Sequence, residues 1–273
     1  MTPIELKERL SAGESAVKVY DLVSDDEVSE EMLLHLIRAK RGGGTRVFDL
    51  IPEKQITEAL CYAVIETDAK CGVGLESVSH YPKFVTPDIC RYAVKQDPSA
   101  AAVASHLLPK MVEEFMAIDY RSFRYIPDEL KTFDICEEAI REDAVFSLGS
   151  VPRDVITPEL CELAVSINPL ALGAVPEGLR TDALCAEAVK RNGLTLAFVP
   201  SVKITRELCF AAVSNNPNSF MYVPENLMDA ELCEEAVRGR FSNIHFIPAD
   251  KRTQKMEEIA LDGIKRFGDE DKA

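Results

Sequence analysis

Hydrophobic and polar positions repeat with a period of 24 residues in the C-terminal half of the chain. Successive copies begin at Pro152, Pro176, Pro200 and Pro224. Each copy contains Thr or Asp, the run Leu-Cys-x-x-Ala-Val, a helix breaker, and a second apolar pair that ends in Val or Ile. Because one unit of this size cannot bury its apolar face alone, the fixed period predicts a solenoid of packed repeats.

The copy that begins at Pro152 illustrates the predicted structure of one repeat. Thr157-Pro158-Glu159 has the composition of a helix start, since Thr caps free amides, Pro suits the first turn and Glu complements the helix dipole. The pairs Leu160-Cys161 and Ala164-Val165 then fall on one helix face. A breaker ends the helix, and a short α- or 3₁₀-helical segment follows before the next Pro. Each repeat is therefore predicted to be a long helix, a short helix and a turn.

The same pattern, extended outwards, predicts the whole fold. It is regular from about residue 127 and degenerate before, with an insertion at Arg41-Gly42-Gly43-Gly44. Glu257 occupies the position of the repeated Cys, and a charge at this packing position predicts a capping helix. We predict an all-α fold, namely a right-handed α-solenoid of helix–short-helix repeats with a C-terminal capping helix. No Gly/Ser-rich or Pro-rich linker divides the chain, so residues 1–268 are predicted to form a single domain and residues 269–273 a disordered tail.

The chain contains eight cysteines, and most of them share one position of the repeat. These six are Cys90, Cys136, Cys161, Cys185, Cys209 and Cys233. Cys61 is interpreted as one place off the register, and Cys71 falls elsewhere. Equivalent positions in packed helices lie about 10 Å apart, whereas a disulfide needs Cα atoms within about 7 Å. We therefore interpret the repeated Cys as a small buried hydrophobic residue, an interpretation supported by Val112 and Leu33 at the same position.

Charge and composition limit the classes of partner. The net charge is −15 and the pI is near 4.8, which argues against general binding to nucleic acid or to anionic membranes. No apolar stretch reaches the length of a membrane helix, and the N-terminus lacks the layout of a secretory signal. We expect a cytoplasmic protein, or one delivered into a host cell if it is an effector. The expected partner is another protein with a basic surface, and the chain itself is expected to be a monomer or a weak oligomer.

Candidate catalytic chemistry is scarce. The four histidines lie in no metal-binding spacing; they are His35, His80, His106 and His245. Ser79-His80 and Ser105-His106 suggest a nucleophile beside a base, but adjacent side chains on a helix point apart. We predict a non-enzymatic protein without catalytic, cofactor-binding or metal-binding residues. The alternative is a small enzyme with its site in the irregular N-terminal third, in a polar cleft between Lys40 and His80.

Two sets of surface residues are candidates for binding a partner. The first set comprises aromatic residues just before the last Val or Ile of the short helix: Tyr125, Phe198, Tyr222 and Phe246. They are interpreted either as packing between repeats or as hot spots along one face. The second set comprises Glu pairs at the helix surface: Glu137, Glu138, Glu234 and Glu235. They are interpreted either as a solvated face or as an acidic ridge.

The motif T-P-E-L-C-x-x-A-V, followed by A-L-x-x-V-P, resembles the short helical repeats of a bacterial domain-of-unknown-function family. Such repeats occur in bacterial and phage proteins, including effector-type proteins. The resemblance implies a helical array and protein interaction, and it implies no catalytic residues. The leading hypothesis is an α-solenoid that regulates or inhibits a partner protein through an extended surface. An acidic decoy that imitates DNA and inhibits a nucleic-acid-binding protein is the second hypothesis.

Overall fold

The computed structural model describes residues 2–23, 28–39, 44–68 and 72–267. Every regular element in these ranges is a helix, which confirms the predicted all-α class. Backbone contacts divide the chain into two compact units, residues 1–135 (unit 1) and residues 136–273 (unit 2). The single domain of residues 1–268 stays a prediction. The insertion at residues 41–43 and the tail at residues 269–273 lie outside the described residues.

Unit 1 alternates longer and shorter helices. Its α-helices are α1 (Pro3–Ser11), α2 (Ala16–Tyr20), α3 (Glu30–Ile37), α4 (Gly44–Phe48), α5 (Glu58–Thr67), α6 (Val73–Ser79), α7 (Pro87–Gln96), α8 (Ala101–Leu107) and α9 (Val112–Ile118). Its described 3₁₀ segments are Glu53–Gln55, Pro82–Phe84, Pro98–Ala100, Pro109–Met111, Tyr120–Tyr125 and Asp128–Leu130. The odd-numbered helices contact one another in sequence, and so do α2, α4, α6 and α8. Two layers of elements result.

Unit 2 contains most of α10 and all the elements that follow. The helices are α10 (Phe133–Glu142), α11 (Ala144–Leu148), α12 (Pro158–Ile167), α13 (Asp182–Arg191), α14 (Arg206–Asn215), α15 (Ala230–Gly239) and α16 (Gln254–Phe267). A six-residue 3₁₀ helix follows each helix from α12 to α15: Pro169–Ala174, Gly193–Phe198, Pro217–Tyr222 and Phe241–Phe246. Three-residue 3₁₀ turns complete the repeats: Glu177–Leu179, Ser201–Lys203, Glu225–Leu227 and Ala249–Lys251. The predicted long helix, short helix and turn are all observed.

The long helices begin where the capping residues predict. Thr157 Oγ1 accepts a hydrogen bond from the Leu160 amide at 3.4 Å, and Thr205 Oγ1 accepts one from the Leu208 amide at 3.2 Å. Asp229 plays the same role before α15, as its carboxylate accepts from the Leu232 amide at 2.8 Å. These side chains satisfy amides that have no partner within the helix.

Asn or Asp ends most of the long helices, whereas Arg240 ends α15. Asn168, for example, has extended backbone dihedrals, and its amide N–H donates to the Ala164 carbonyl of α12. Its side-chain oxygen accepts from the Leu170 amide at 3.0 Å and so begins the next 3₁₀ helix. Asn192 and Asn216 repeat this geometry. A single residue therefore ends one helix and caps the next.

The repeated Cys is buried in both units, as predicted. All seven described cysteines are at most 1 % exposed, and burial raises the pKa of the Cys90, Cys161, Cys209 and Cys233 thiols to about 11. The interpretation of Cys61 was wrong. It lies four residues after the cap Thr57, as Cys161 lies four residues after Thr157, and it is fully buried. Burial raises the pKa of Cys61 to about 12. Cys71 lies outside the described residues.

The N-terminal region follows the repeat more closely than its sequence indicates. A buried residue lies four places after the residue that precedes each long helical element: Leu6, Leu33, Cys61, Cys90 and Val112. The second element is α-helical in α2, α4, α6 and α8, unlike the six-residue 3₁₀ helices that follow α9 and α12 to α15. Because these second helices vary in length, the period changes from repeat to repeat and hides the pattern.

Polar side chains join consecutive repeats of unit 2. The Arg180 guanidinium donates to the Val175 carbonyl, just after the 3₁₀ helix Pro169–Ala174, at 2.8 Å. It also donates to the Phe198 carbonyl, at the end of the next six-residue 3₁₀ helix, at 2.6 Å. Asn215 donates to the Lys190 carbonyl at 3.0 Å and accepts from the Gly193 amide at 2.8 Å. Successive long helices from α12 to α16 are in contact, and so are successive six-residue 3₁₀ helices. Each repeat of this part of the unit therefore packs on the next with both of its elements.

The last helix, α16, has the charged residue that was predicted to mark a cap. Glu257 lies four residues after Thr253, at the position of the repeated Cys, and it is exposed. Met256 and Ala260 are buried, whereas Leu261 and Ile264 are 56 % and 48 % exposed. The helix thus packs with one face and exposes two apolar residues elsewhere.

Candidate interaction surface

Three of the four candidate aromatic residues occupy one equivalent position in unit 2. Phe198, Tyr222 and Phe246 are each the last residue of a six-residue 3₁₀ helix, and these 3₁₀ helices contact one another in sequence. We call the three residues the aromatic column. Tyr125 ends the 3₁₀ segment of unit 1 in the same way and is 42 % exposed. The structure therefore places all four at the same point of their repeats.

Members of the aromatic column differ in how far they are buried. Phe198 is half-buried, and its ring lies over Gly173 of the preceding repeat, 3.1 Å from where a Cβ would stand. Tyr222 and Phe246 are 38 % and 54 % exposed. Met221, beside Tyr222, is 57 % exposed. Phe198 is therefore engaged in packing between repeats, whereas Tyr222, Phe246 and Met221 present apolar surface to the solvent.

Exposed carboxylates lie in the turns that follow the aromatic column. Glu225 is three residues after Tyr222, and Asp250 is four residues after Phe246. Both are exposed and lie in three-residue 3₁₀ turns. In the same turn of the preceding repeat, Val202 is 91 % exposed. The sequence analysis missed Met221 and Val202; for Val202 the signal was an apolar residue between the polar Ser201 and Lys203, whereas Met221 lies between two aromatic residues and gave no such signal.

The candidate Glu residues are largely paired within the chain. Glu137 accepts from the Arg141 guanidinium at 2.6 Å. Glu234 pairs with Lys255, and Glu235 lies 3.5 Å from Arg238. Glu138 is exposed. The Glu pairs thus lie on the long helices, away from the 3₁₀ helices that carry the aromatic column, and three of these four charges have a cationic neighbour.

The side chains of the two candidate Ser-His pairs lie in different surroundings. The Ser79 hydroxyl donates to the Glu76 carbonyl at 2.6 Å, and His80 is exposed at the end of α6. Ser105 is fully buried in α8, whereas the adjacent His106 is exposed. His35 Nδ1 contacts the Glu31 carbonyl at 2.7 Å within its own helix. Among the described residues, no group of three or more His, Cys, Asp or Glu is arranged to hold a metal ion.

Comparison with known proteins supports a repeat of unknown function. A family model described as Domain of unknown function (DUF4116) matches residues 183–228 and residues 205–251. The two matches overlap, as expected when one motif recurs along a chain. Neither the curated proteins nor the solved structures give a match. None of the helices in the described ranges combines the length and the apolar character needed to cross a membrane.

Proposed function

We propose that unit 2 is a right-handed α-solenoid that binds another protein, without catalysis, and thereby regulates or inhibits it. Support for the solenoid comes from the successive contacts of the long helices and of the 3₁₀ helices within the unit. The cross-repeat hydrogen bonds of Arg180 and Asn215 support it further. Repeats that pack in this way offer extended surfaces to partner chains. The right-handed sense is part of the proposal.

One observation carries the proposed binding function. Tyr222 and Phe246 lie at the same position of consecutive repeats and stay exposed, with Met221 beside them. Aromatic residues and Met are enriched at the centres of protein interfaces, where they supply much of the binding energy. Because Glu225 and Asp250 follow the two rings, we expect a partner segment with both apolar and basic side chains. A cationic group of this segment is expected to lie over a ring, where it gains a further attraction.

The test is a double substitution that leaves Phe198 intact, because Phe198 packs on the preceding repeat. We expect Y222A/F246A to keep the helicity and melting temperature of the wild type and to weaken partner binding at least about tenfold. A matched control is L261A/I264A, which removes two equally exposed apolar residues from α16.

Binding is measured by affinity capture from lysate of the source cells, followed by quantitative mass spectrometry and by affinity measurement with the purified partner. Loss of one partner with Y222A/F246A alone supports the proposal. Equal recovery with both double variants would show that the aromatic column does not bind.

The other two hypotheses gain less support from the geometry. An acidic decoy needs unpaired carboxylates, whereas Glu137, Glu234 and Glu235 have cationic neighbours within the chain. An enzyme in the N-terminal third needs converging polar groups, and its candidate Ser79 is bonded to a backbone carbonyl rather than to His80. Binding to another protein is therefore the function that the described residues support best.

A further inference from the structure

A groove of about 220 Å³ lies between α12 and α13 in unit 2. Val165, Ala183 and Leu184 supply apolar lining, and Glu162 and Glu187 supply two carboxylates. We call this the acidic groove. It lies between long helices, whereas the aromatic column lies on the 3₁₀ helices, so it is a separate site from the one proposed above.

Among the residues that the structure describes, none is a cationic partner of the two carboxylates of the acidic groove. Within the described ranges, neither Glu162 nor Glu187 forms an ion pair or a side-chain hydrogen bond, and both are exposed. Like charges that face one groove repel each other, so this arrangement disfavours the isolated protein slightly. A cation that enters the groove removes this repulsion.

Arg206 shows how this protein places a cation of its own between two consecutive long helices, α14 and α15. Arg206, one residue after the α14 cap, lies over the Phe210 ring, 5.3 Å from its centroid. Its guanidinium also pairs with Asp229 at 2.7 Å and with Glu231. The hydrogen bond from Arg206 holds the pKa of the Asp229 carboxyl below its usual value. The chain therefore places its own guanidinium between α14 and α15, over an aromatic ring and beside two carboxylates at the start of α15.

In unit 1, the positions of α7 and α9 that are equivalent to Glu162 and Glu187 carry an ion pair. Arg91 lies five residues after the α7 cap, as Glu162 does after the α12 cap. Arg91 pairs at 2.8 Å with Glu114, which lies six residues after Leu108, as Glu187 does after the α13 cap Thr181. At these two positions the α7/α9 pair of unit 1 carries opposite charges, whereas the acidic groove carries two negative charges.

We infer that the acidic groove binds a Lys or Arg side chain of a partner protein. The aliphatic stem packs on Val165, Ala183 and Leu184, and the cationic group lies between Glu162 and Glu187. Pro158 stands where Arg206 stands in α14, so the chain supplies no cation from that position. A divalent metal ion fits less well, because Ca²⁺ and Mg²⁺ require about six oxygen ligands and much of this lining is apolar.

The inference is tested by a methyl NMR titration of the full chain with the peptide acetyl-Gly-Arg-Gly-amide. We expect saturable shifts at the methyl groups of Val165 and Leu184. The same peptide with citrulline in place of arginine, which has no charge, is expected to give no saturable shift. E162Q/E187Q should weaken binding roughly tenfold, the loss expected for two partly exposed ion pairs. The matched control E142Q/E177Q removes two exposed carboxylates outside the groove and should leave the affinity unchanged.

A second variant separates binding from folding. E187K restores opposite charges at the positions used by Arg91 and Glu114, so we expect a melting temperature at or above that of the wild type together with loss of the peptide shifts. Three outcomes would overturn the inference: equal shifts with the citrulline peptide, unchanged affinity in E162Q/E187Q, or saturation of the same methyl groups by magnesium chloride at lower concentration than by the arginine peptide. None of these outcomes depends on the aromatic column, so the two proposals fail separately.

Discussion

The repeated Cys makes the stability of this fold sensitive to alkaline pH. Burial raises the pKa of Cys90, Cys161, Cys209 and Cys233 from the ordinary value of 9.0 to about 11. It raises that of Cys61 to about 12. Because the folded pKa lies above the unfolded one, the neutral thiols stabilise the fold fully below about pH 9, and this stabilisation is lost as the pH rises through about 11.

The size of the effect follows from the two pKa values. At about pH 10 an unfolded thiol with the ordinary pKa is mostly ionised, whereas a buried thiol with a pKa of about 11 is mostly neutral. At this pH ionisation shifts the folding equilibrium about tenfold towards the unfolded state for each thiol, which weakens folding by about 1 kcal/mol per thiol. Five such thiols together remove about 5 kcal/mol, which is comparable with the whole stability of a typical domain. We therefore expect cooperative unfolding near pH 10 in a reducing buffer.

The assay is urea unfolding followed by circular dichroism at a series of pH values, with C161A/C209A compared with the wild type. At neutral pH the variant is expected to be less stable, because two small cavities replace buried sulfur atoms. Between about pH 8 and about pH 10 it should lose about 2 kcal/mol less than the wild type, since two ionisable groups are gone. Parallel curves for the two proteins would refute the reasoning, because Lys and Tyr titration would then account for the whole pH dependence.

Two further predictions concern the joints of the repeat. In Gly193→Ala the new Cβ would lie 2.2 Å from the Ala212 carbonyl oxygen, so we expect the free energy of unfolding, measured with urea, to fall by about 3 kcal/mol. The control Gly178→Ala, whose new Cβ would have no atom within 4 Å, should leave the free energy of unfolding nearly unchanged. Asn216→Ala removes the oxygen that caps a 3₁₀ helix and should cost about 1 kcal/mol, whereas the exposed Asn226→Ala should change little; equal losses within either pair would contradict the assigned contacts.

The parts of the fold that local chemistry determines were predictable from the sequence. Thr157 begins a helix because its hydroxyl can accept from an amide three residues ahead, and this depends on no other repeat. The repeated Cys was predictable as a buried residue because Val112 and Leu33 replace it with other apolar side chains. The starts of the long helices in the regular repeats and the burial of the repeated Cys, both of which depend on nearby residues, were therefore predicted correctly.

The repeat looked degenerate before residue 127 because the second element of the repeat varies along the chain. After α12 to α15 this element is a 3₁₀ helix of six residues, whereas after α1, α3, α5, α7 and α10 it is a short α-helix of variable length. The period therefore changes, while the buried position four residues after each cap does not.

The candidate surface was less predictable, because its properties depend on neighbouring repeats. The exposure of Phe198 depends on Gly173 of the preceding repeat, which leaves room for the ring. The ion pair of Glu234 depends on Lys255, which is 21 residues away. Neither relation follows from the sequence until the offset between adjacent helices is known. In the structure Tyr125, Tyr222 and Phe246 are exposed, whereas Phe198 packs on the preceding repeat. Three of the four candidate Glu residues form ion pairs within the chain.

Divergence between repeats is concentrated at the surface positions where adjacent long helices meet. Tyr62 and Tyr92 occupy one such pair of positions, with their ring centroids 4.8 Å apart, whereas Arg91 and Glu114 form an ion pair at the next. These substitutions leave the buried positions four residues after the helix caps apolar. Surface chemistry can therefore change from repeat to repeat at little cost in core packing. Where the chain pairs such positions itself, the charges are balanced. At the acidic groove no cation from the described part of the chain pairs with the two carboxylates, and there a side chain of another protein can supply one.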